Sequence, residues 1–215
     1  MEPAIHTAPA EPVARRAARV SKYSHWTVEE GFLCATAVAE AMKPFDLSSL
    51  WNRDAKGLAM DVNRNAPVVA SSQTMIKAPR AVVWSIQTDI NRWPEWNRAV
   101  TRAECSGPIS PGTRFRWKTS GLVILSTIQE VVEQSRLVWS GRALWLGIDA
   151  VHRWTFDDVH GGTLVRTEES FEGLLVSLMR PIMRSMLASS LDAWLGYLKA
   201  ECERPGSTAM RASLH

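Results

Sequence analysis

Hydrophobic and polar residues alternate in seven stretches of the last two-thirds of the chain, and flanking segments repeat instead at helical spacing. Val68 to Lys77, Arg98 to Ser106, Thr113 to Thr119, Leu122 to Val132, Arg136 to Arg142, Ile148 to Phe156 and Thr163 to Phe171 read as strands. Turn chemistry separates them: Gly107-Pro108 with Pro111-Gly112, then Ser120-Gly121, then His160-Gly161-Gly162. Behind the first strand, Val82, Val83, Ile86 and Ile90 recur at helical spacing. Pro79 suits the first turn of that helix, where its missing N–H has no intrahelical partner. After Gly173 a wide apolar helical face runs through Leu175, Met179, Ile182, Met183, Met186, Leu187, Leu191, Trp194 and Leu198. Pro181 falls inside it and predicts a start or a kink there.

The first third has a different pattern. Residues 1–22 are rich in Ala, Pro and Arg with few large apolar groups, which predicts a flexible arm. Thr27 and Glu30 have capping-box spacing ahead of Phe32, Leu33, Val38 and Met42, so a helix over Val28 to Met42 is expected, ended by Pro44. Residues 44–66 read as a linker with one anchor, Leu50-Trp51. The expected division is an N-terminal extension over 1–65, one domain over 66–205 and a short polar tail over 206–215.

The run from Ile76 to Asn97 carries a resemblance to a known family. Ile76-Lys77-Ala78-Pro79 followed by Val83-Trp84, then Asp89 with Trp93-Pro94-Glu95-Trp96, is similar to the first strand and helices of the START-like superfamily known as SRPBCC, in particular its polyketide cyclase/dehydrase-type members. Leu137-Val138-Trp139-Ser140-Gly141 and Gly161-Gly162-Thr163 fit the same pattern. The resemblance implies an α+β helix-grip fold: a curved, seven-stranded antiparallel sheet wrapped around a long C-terminal helix, with two short helices after the first strand. It also implies an internal cavity, hence binding or transport of a small molecule.

Composition narrows the function further. Hydrophobic residues at 46% and charged residues at 22% are the balance of a soluble globular chain, no apolar run is long enough to span a bilayer, and no signal pattern opens the chain, so a cytoplasmic location is expected. Cys34, Cys105 and Cys202 are too widely spaced for a disulfide framework or a zinc site, and the five histidines form no ligand spacing, so no metal is expected. A net charge of +3 with scattered Lys and Arg does not point to nucleic acid. No Gly-rich phosphate or dinucleotide motif and no nucleophile elbow is present, so no cofactor is expected and nucleotide or serine-hydrolase chemistry is disfavoured.

Alternation also indicates which side chains share the inner face. Phe115 and Trp117 oppose Arg114, Arg116 and Lys118; His152, Trp154 and Phe156 oppose Arg153 and Thr155; Thr167 and Glu169 oppose Arg166 and Glu168. Trp139 is expected inside as well, whereas Leu122 to Val132 has apolar residues on both faces and does not declare one. Because the last two strands form a hairpin, His152 and Trp154 are expected near Thr167 and Glu169. With Met179, Met183 and Met186 on the long helix, these residues are the candidate ligand contacts, and His152 and Glu169 the candidate proton-transfer pair. The competing reading is that the pair only satisfies itself inside a core. Trp93 and Trp96 are read mainly as a staple for the short second helix. Three functions stay open: a binder or carrier of a hydrophobic or aromatic molecule, a polyketide cyclase/dehydratase-like enzyme, and an adaptor gripping a partner through the extension, with a homodimer also possible.

Overall fold

The computed structural model describes residues 60–143 and 145–205; the arm, the helix over Val28 to Met42, the Leu50-Trp51 anchor and the tail lie outside the described residues. Strand β1 is Val68–Ile76, followed by α1 (Arg80–Thr88), a single 3-10 turn at Ile90–Arg92 and α2 (Trp93–Trp96). Strands β2 (Val100–Cys105), β3 (Arg114–Thr119), β4 (Leu122–Val132), β5 (Arg136–Ala143), β6 (Ile148–Val159) and β7 (Gly162–Glu172) form an unbroken meander. A short α3 (Leu174–Leu178) leads into α4 (Arg180–Cys202). The antiparallel sheet has the order β1-β7-β6-β5-β4-β3-β2, so the first strand returns to pair with the last. This is the helix-grip arrangement expected from the sequence, with Pro181 in the first turn of α4 rather than at an internal kink.

Local chemistry sets the hairpins. Ser120 and Gly121 both take positive φ, 46° and 79°, as a two-residue turn between Thr119 and Leu122 requires. At the β6–β7 turn Gly161 has φ +87° and Gly162 +150°. A side chain at 162 would put Cβ 2.1 Å from the Ile76 carbonyl oxygen, so the strands close only over hydrogen there.

The ambiguous strand has a physical explanation. In β4 the pairing with β5 shifts between Ile128 and Glu130, a bulge that inserts Gln129. Before it Ile124, Ser126 and Ile128 lie opposite Ala143, Gly141 and Trp139; after it Val131 lies opposite Leu137. The inner set therefore changes from even to odd numbers within one strand.

Residues 60–65, assigned to the linker by composition, cross the outer face of the sheet. Asp61 accepts from Arg136 at 3.0 Å and from Arg153 at 2.8 Å, the Asn63 backbone N–H donates to Ser170 Oγ at 3.2 Å, and Arg64 faces Glu168. Partial burial opposes the Asp61 charge, but the Val62 backbone N–H and the two guanidiniums outweigh it and hold the carboxyl below its usual range. This strap lies over Ser170, which is buried, on the outer face, and the inner face is left to α4.

The glycine requirement generates a test. Gly162→Ala should destabilise the protein by about 3 kcal/mol or more in urea unfolding, because backbone must move to relieve the contact, whereas Gly161→Ala should cost only about 1 kcal/mol.

Candidate functional site

The inner face follows from register. His152 lies opposite Glu169 on one side and Trp139 on the other, and Trp154 lies opposite Thr167 and Leu137. In antiparallel pairs directly opposed residues share a face, so the expected inner set converges. Phe115, Trp117, Trp139, His152, Trp154 and Thr167 are all buried, and Glu169 is largely so, its side chain 13% exposed. Of the three methionines, Met183 is buried and Met186 half-buried. Met179 is 36% exposed, because it sits at the break between α3 and α4 and not within the regular turns of one helix.

The aromatic part of the interior is organised around Trp93. Its ring is 5.0 Å from that of Trp194, 5.7 Å from Phe115 and 5.8 Å from both Trp117 and Trp139, centroid to centroid. Trp93 is thus the centre of the core and more than a staple at the end of the sheet. The sequence leads one to expect open space beside Trp117 and Trp154, but Trp194 stands against both, at 5.4 and 6.0 Å. The rings fill that region with ordinary contact distances. A groove of about 200 Å³ does open on the molecule, but it lies on the outer face beside the strap, lined by Met60, Leu125, Thr127, Ser140 and Val151, away from His152 and Glu169.

Apolar burial on the inner side falls into two clusters. One holds the aromatic rings with Leu195 and Leu198; the other holds Val68, Ile148, Val176, Met183, Leu187 and Leu191. Small and polar residues mark the border on the sheet: Ala70, Glu169 and His152 in one row, with Ala150, Gly141 and Ser126 in the next. Here the sheet presents its least bulky surface to α4.

At that border His152 Nε2 is 2.6 Å from Thr167 Oγ1, and Nδ1 is 3.5 Å from Glu169 Oε2. Burial pushes the His152 imidazolium down to about 3 and the Glu169 carboxyl up to about 8, so near neutral pH both are uncharged. A neutral imidazole has one donor and one acceptor nitrogen, and a protonated carboxyl can donate. Either neutral tautomer is therefore matched without a buried charge, because Glu169 and Thr167 can each donate to or accept from the ring nitrogen they face. His152 also stacks on Trp154 at 5.2 Å and meets Trp139 at a tilt of 51° and 4.7 Å, which restrains its plane.

Four residues outside the sequence-based set belong to this interior: Trp93, Trp194, Gln87 and Ser126. Gln87, fully buried, accepts from Trp93 Nε1 through its backbone carbonyl at 2.9 Å and from Trp194 Nε1 through Oε1 at 3.2 Å. Ser126 Oγ accepts from Trp117 Nε1 at 3.1 Å. Gln87 Nε2 and Trp154 Nε1 are buried donors without an acceptor. The available signal was Gln87 itself, a polar residue on the apolar face of α1.

The two shifts predict a stability profile. Glu169, raised from 4.5, contributes stability that is complete below about pH 4.5 and lost as pH rises through 8; His152, lowered from 6.5, contributes stability complete above 6.5 and lost as pH falls through 3. The slopes oppose each other between 4.5 and 6.5, which gives a plateau, with a decline on each side. Melting temperature measured against pH should therefore fall between 6.5 and 8 in the wild type, and Glu169→Gln should flatten that limb. Equal declines in both proteins would contradict the buried neutral carboxyl.

Comparison with known proteins agrees with the architecture. No curated protein matches the sequence. Among solved structures, a hypothetical protein, jhp0584, from Helicobacter pylori superposes with a TM-score of 0.59 at 16% identity, over 75% of this chain and 98% of that one. A START superfamily protein from Mycobacterium smegmatis gives 0.54 at 16% identity, over 63% and 97%. The Zhui aromatase/cyclase from Streptomyces sp. R1128 gives 0.54 at 12% identity, over 63% and 93%. At these identities the likeness is one of fold. The family model described as polyketide cyclase / dehydrase and lipid transport matches residues 67–203, from the start of β1 to the end of α4, and the chain belongs to that family.

Proposed function

We propose that the protein binds a hydrophobic or aromatic small molecule between the sheet and α4, at the border where His152, Thr167 and Glu169 meet small residues. The observation that carries this reading is the uncharged Glu169–His152–Thr167 chain on an otherwise apolar face. Burying such groups costs desolvation that apolar replacements would avoid, so their placement makes physical sense if they meet a polar atom of a guest. Gln87 Nε2 and Trp154 Nε1 add two buried donors without acceptors, which favours a guest bearing oxygen. Phe115, Trp117, Trp139, Met183 and Met186 supply apolar contact, and Trp194 or Trp93 shifts to admit the ligand. Transport of such a molecule in the cytoplasm fits the same reading.

A second reading is favoured by one observation. A carboxyl with pKa about 8 beside an imidazole exchanges protons near neutral pH, which suits general acid–base chemistry of the cyclase/dehydratase kind. The likeness to an aromatase/cyclase supports it only through the fold.

Titration with the uncharged apolar probe N-phenylnaphthylamine should quench tryptophan fluorescence. His152→Gln and Glu169→Gln should weaken binding by roughly threefold to tenfold if the pair anchors the guest. If it transfers protons, turnover of a poly-carbonyl substrate should fall by about 10²-fold or more with affinity unchanged. An absence of quenching together with an absence of turnover would overturn both readings.

A further inference from the structure

Among the described residues, four of the six exposed large apolar side chains fall within nine consecutive positions: Leu174, Leu178, Met179 and Ile182, at 78, 73, 36 and 53% exposure. Misplaced core residues would not explain this, because the same segment buries its other side fully. Val176 is 0% and Met183 8% exposed, and both pack into the second apolar cluster with Leu187 and Ile148. The hydrogen bonds Met179 N–H to Leu175 O and Met183 N–H to Met179 O carry the helical ladder across the break between α3 and α4. Leu174 and Leu178 lie one turn apart in α3 and Ile182 lies in the first turn of α4, and all three are exposed, so the stripe they form spans the junction.

Charge adds a second, independent observation. From Gly173 to Ser185 there is no acidic residue, while Arg180 and Arg184, again at spacing four, are exposed and take no acidic partner among the described residues. Elsewhere on this domain most described arginines are matched to carboxylates, as with Arg92, Arg102, Arg116, Arg136, Arg153 and Arg166. An exposed apolar stripe flanked by unmatched guanidiniums suits an interface with a hydrocarbon layer beneath anionic headgroups. No helix among the described residues is long and apolar enough to cross a membrane, which leaves this segment a surface contact and not a span.

We infer that the α3–α4 junction docks the protein onto anionic membrane surfaces, with Leu174, Leu178 and Ile182 entering the headgroup region and Arg180 and Arg184 meeting lipid phosphates. The junction also covers the second apolar cluster, so docking places lipid directly over one end of the sheet–helix interface. This goes beyond interior binding and does not depend on it.

The test is co-sedimentation of the full chain with vesicles of equal parts phosphatidylcholine and phosphatidylglycerol, against vesicles of phosphatidylcholine alone. The wild type should pellet with the anionic vesicles and not with the neutral ones. Leu178→Ser/Ile182→Ser and Arg180→Gln/Arg184→Gln should each weaken partitioning on the order of tenfold, with the melting temperature unchanged. Three results would overturn the inference: no binding by the wild type; binding undiminished in both double variants, which would assign it to the basic residues near the N-terminus; or a fall in melting temperature or oligomeric mass in the Leu178/Ile182 variant, which would show that the chain itself or a second copy covers the stripe. The N-phenylnaphthylamine quench is read separately, through the effect of His152→Gln and Glu169→Gln, so the failure of one account leaves the other standing.

Discussion

Everything distinctive about the interior depends on the register of the β6–β7 hairpin, which seats His152 opposite Glu169 and Trp154 opposite Thr167. Strand side chains alternate between faces, so a slip of one residue would send the imidazole outward and bring Arg153 in. On the outer face Arg153 of β6 pairs with Glu168 of β7, and the strap ties the same strands to their neighbours, Asp61 taking Arg136 of β5 with Arg153 and the Asn63 N–H reaching Ser170 of β7, while the close approach of Gly162 to the Ile76 carbonyl holds β7 against β1. The polar pair is therefore fixed by backbone geometry, which is how a site can keep uncharged titratable groups where solvation alone would expel them.

The core around Trp93 provides the opposite kind of environment. Six indoles, Phe115, Phe156 and the His152 imidazole are in contact through edge-on, tilted and stacked pairs, and three indole N–H groups find acceptors on Gln87 and Ser126. Such packing is close and apolar, and it raises the cost of charge at His152 and Glu169. It also means that a guest must use the thinner border with the second cluster, where Ala70, Ala150 and Gly141 leave the sheet least covered, or displace a ring.

How far the sequence was legible depended on how local each determinant is. The inner faces of β3, β6 and β7 were readable because each alternates without interruption, so Trp117, His152 and Glu169 could be placed by counting. In β4 the Gln129 bulge shifts the parity halfway along, and counting fails. Met179 was misassigned to the inner face because a helical repeat drawn through it assumes one helix, whereas the chain breaks there before Pro181. The strap was invisible for another reason: Asp61 and Asn63 look like loop residues, and their partners Arg136, Arg153 and Ser170 lie many residues away in sequence. Gln87 was overlooked likewise, since its role is defined only once Trp93 and Trp194 meet around it.

The central claim is that the space between sheet and α4 takes up a small molecule gripped by the neutral Glu169–His152 pair. Native mass spectrometry of the freshly purified protein tests it most directly. The account predicts a discrete population heavier than the bare chain, carrying an apolar, oxygen-bearing compound, and a smaller such population in Glu169→Gln. A single bare mass, unchanged after incubation with an apolar aromatic compound, would contradict it.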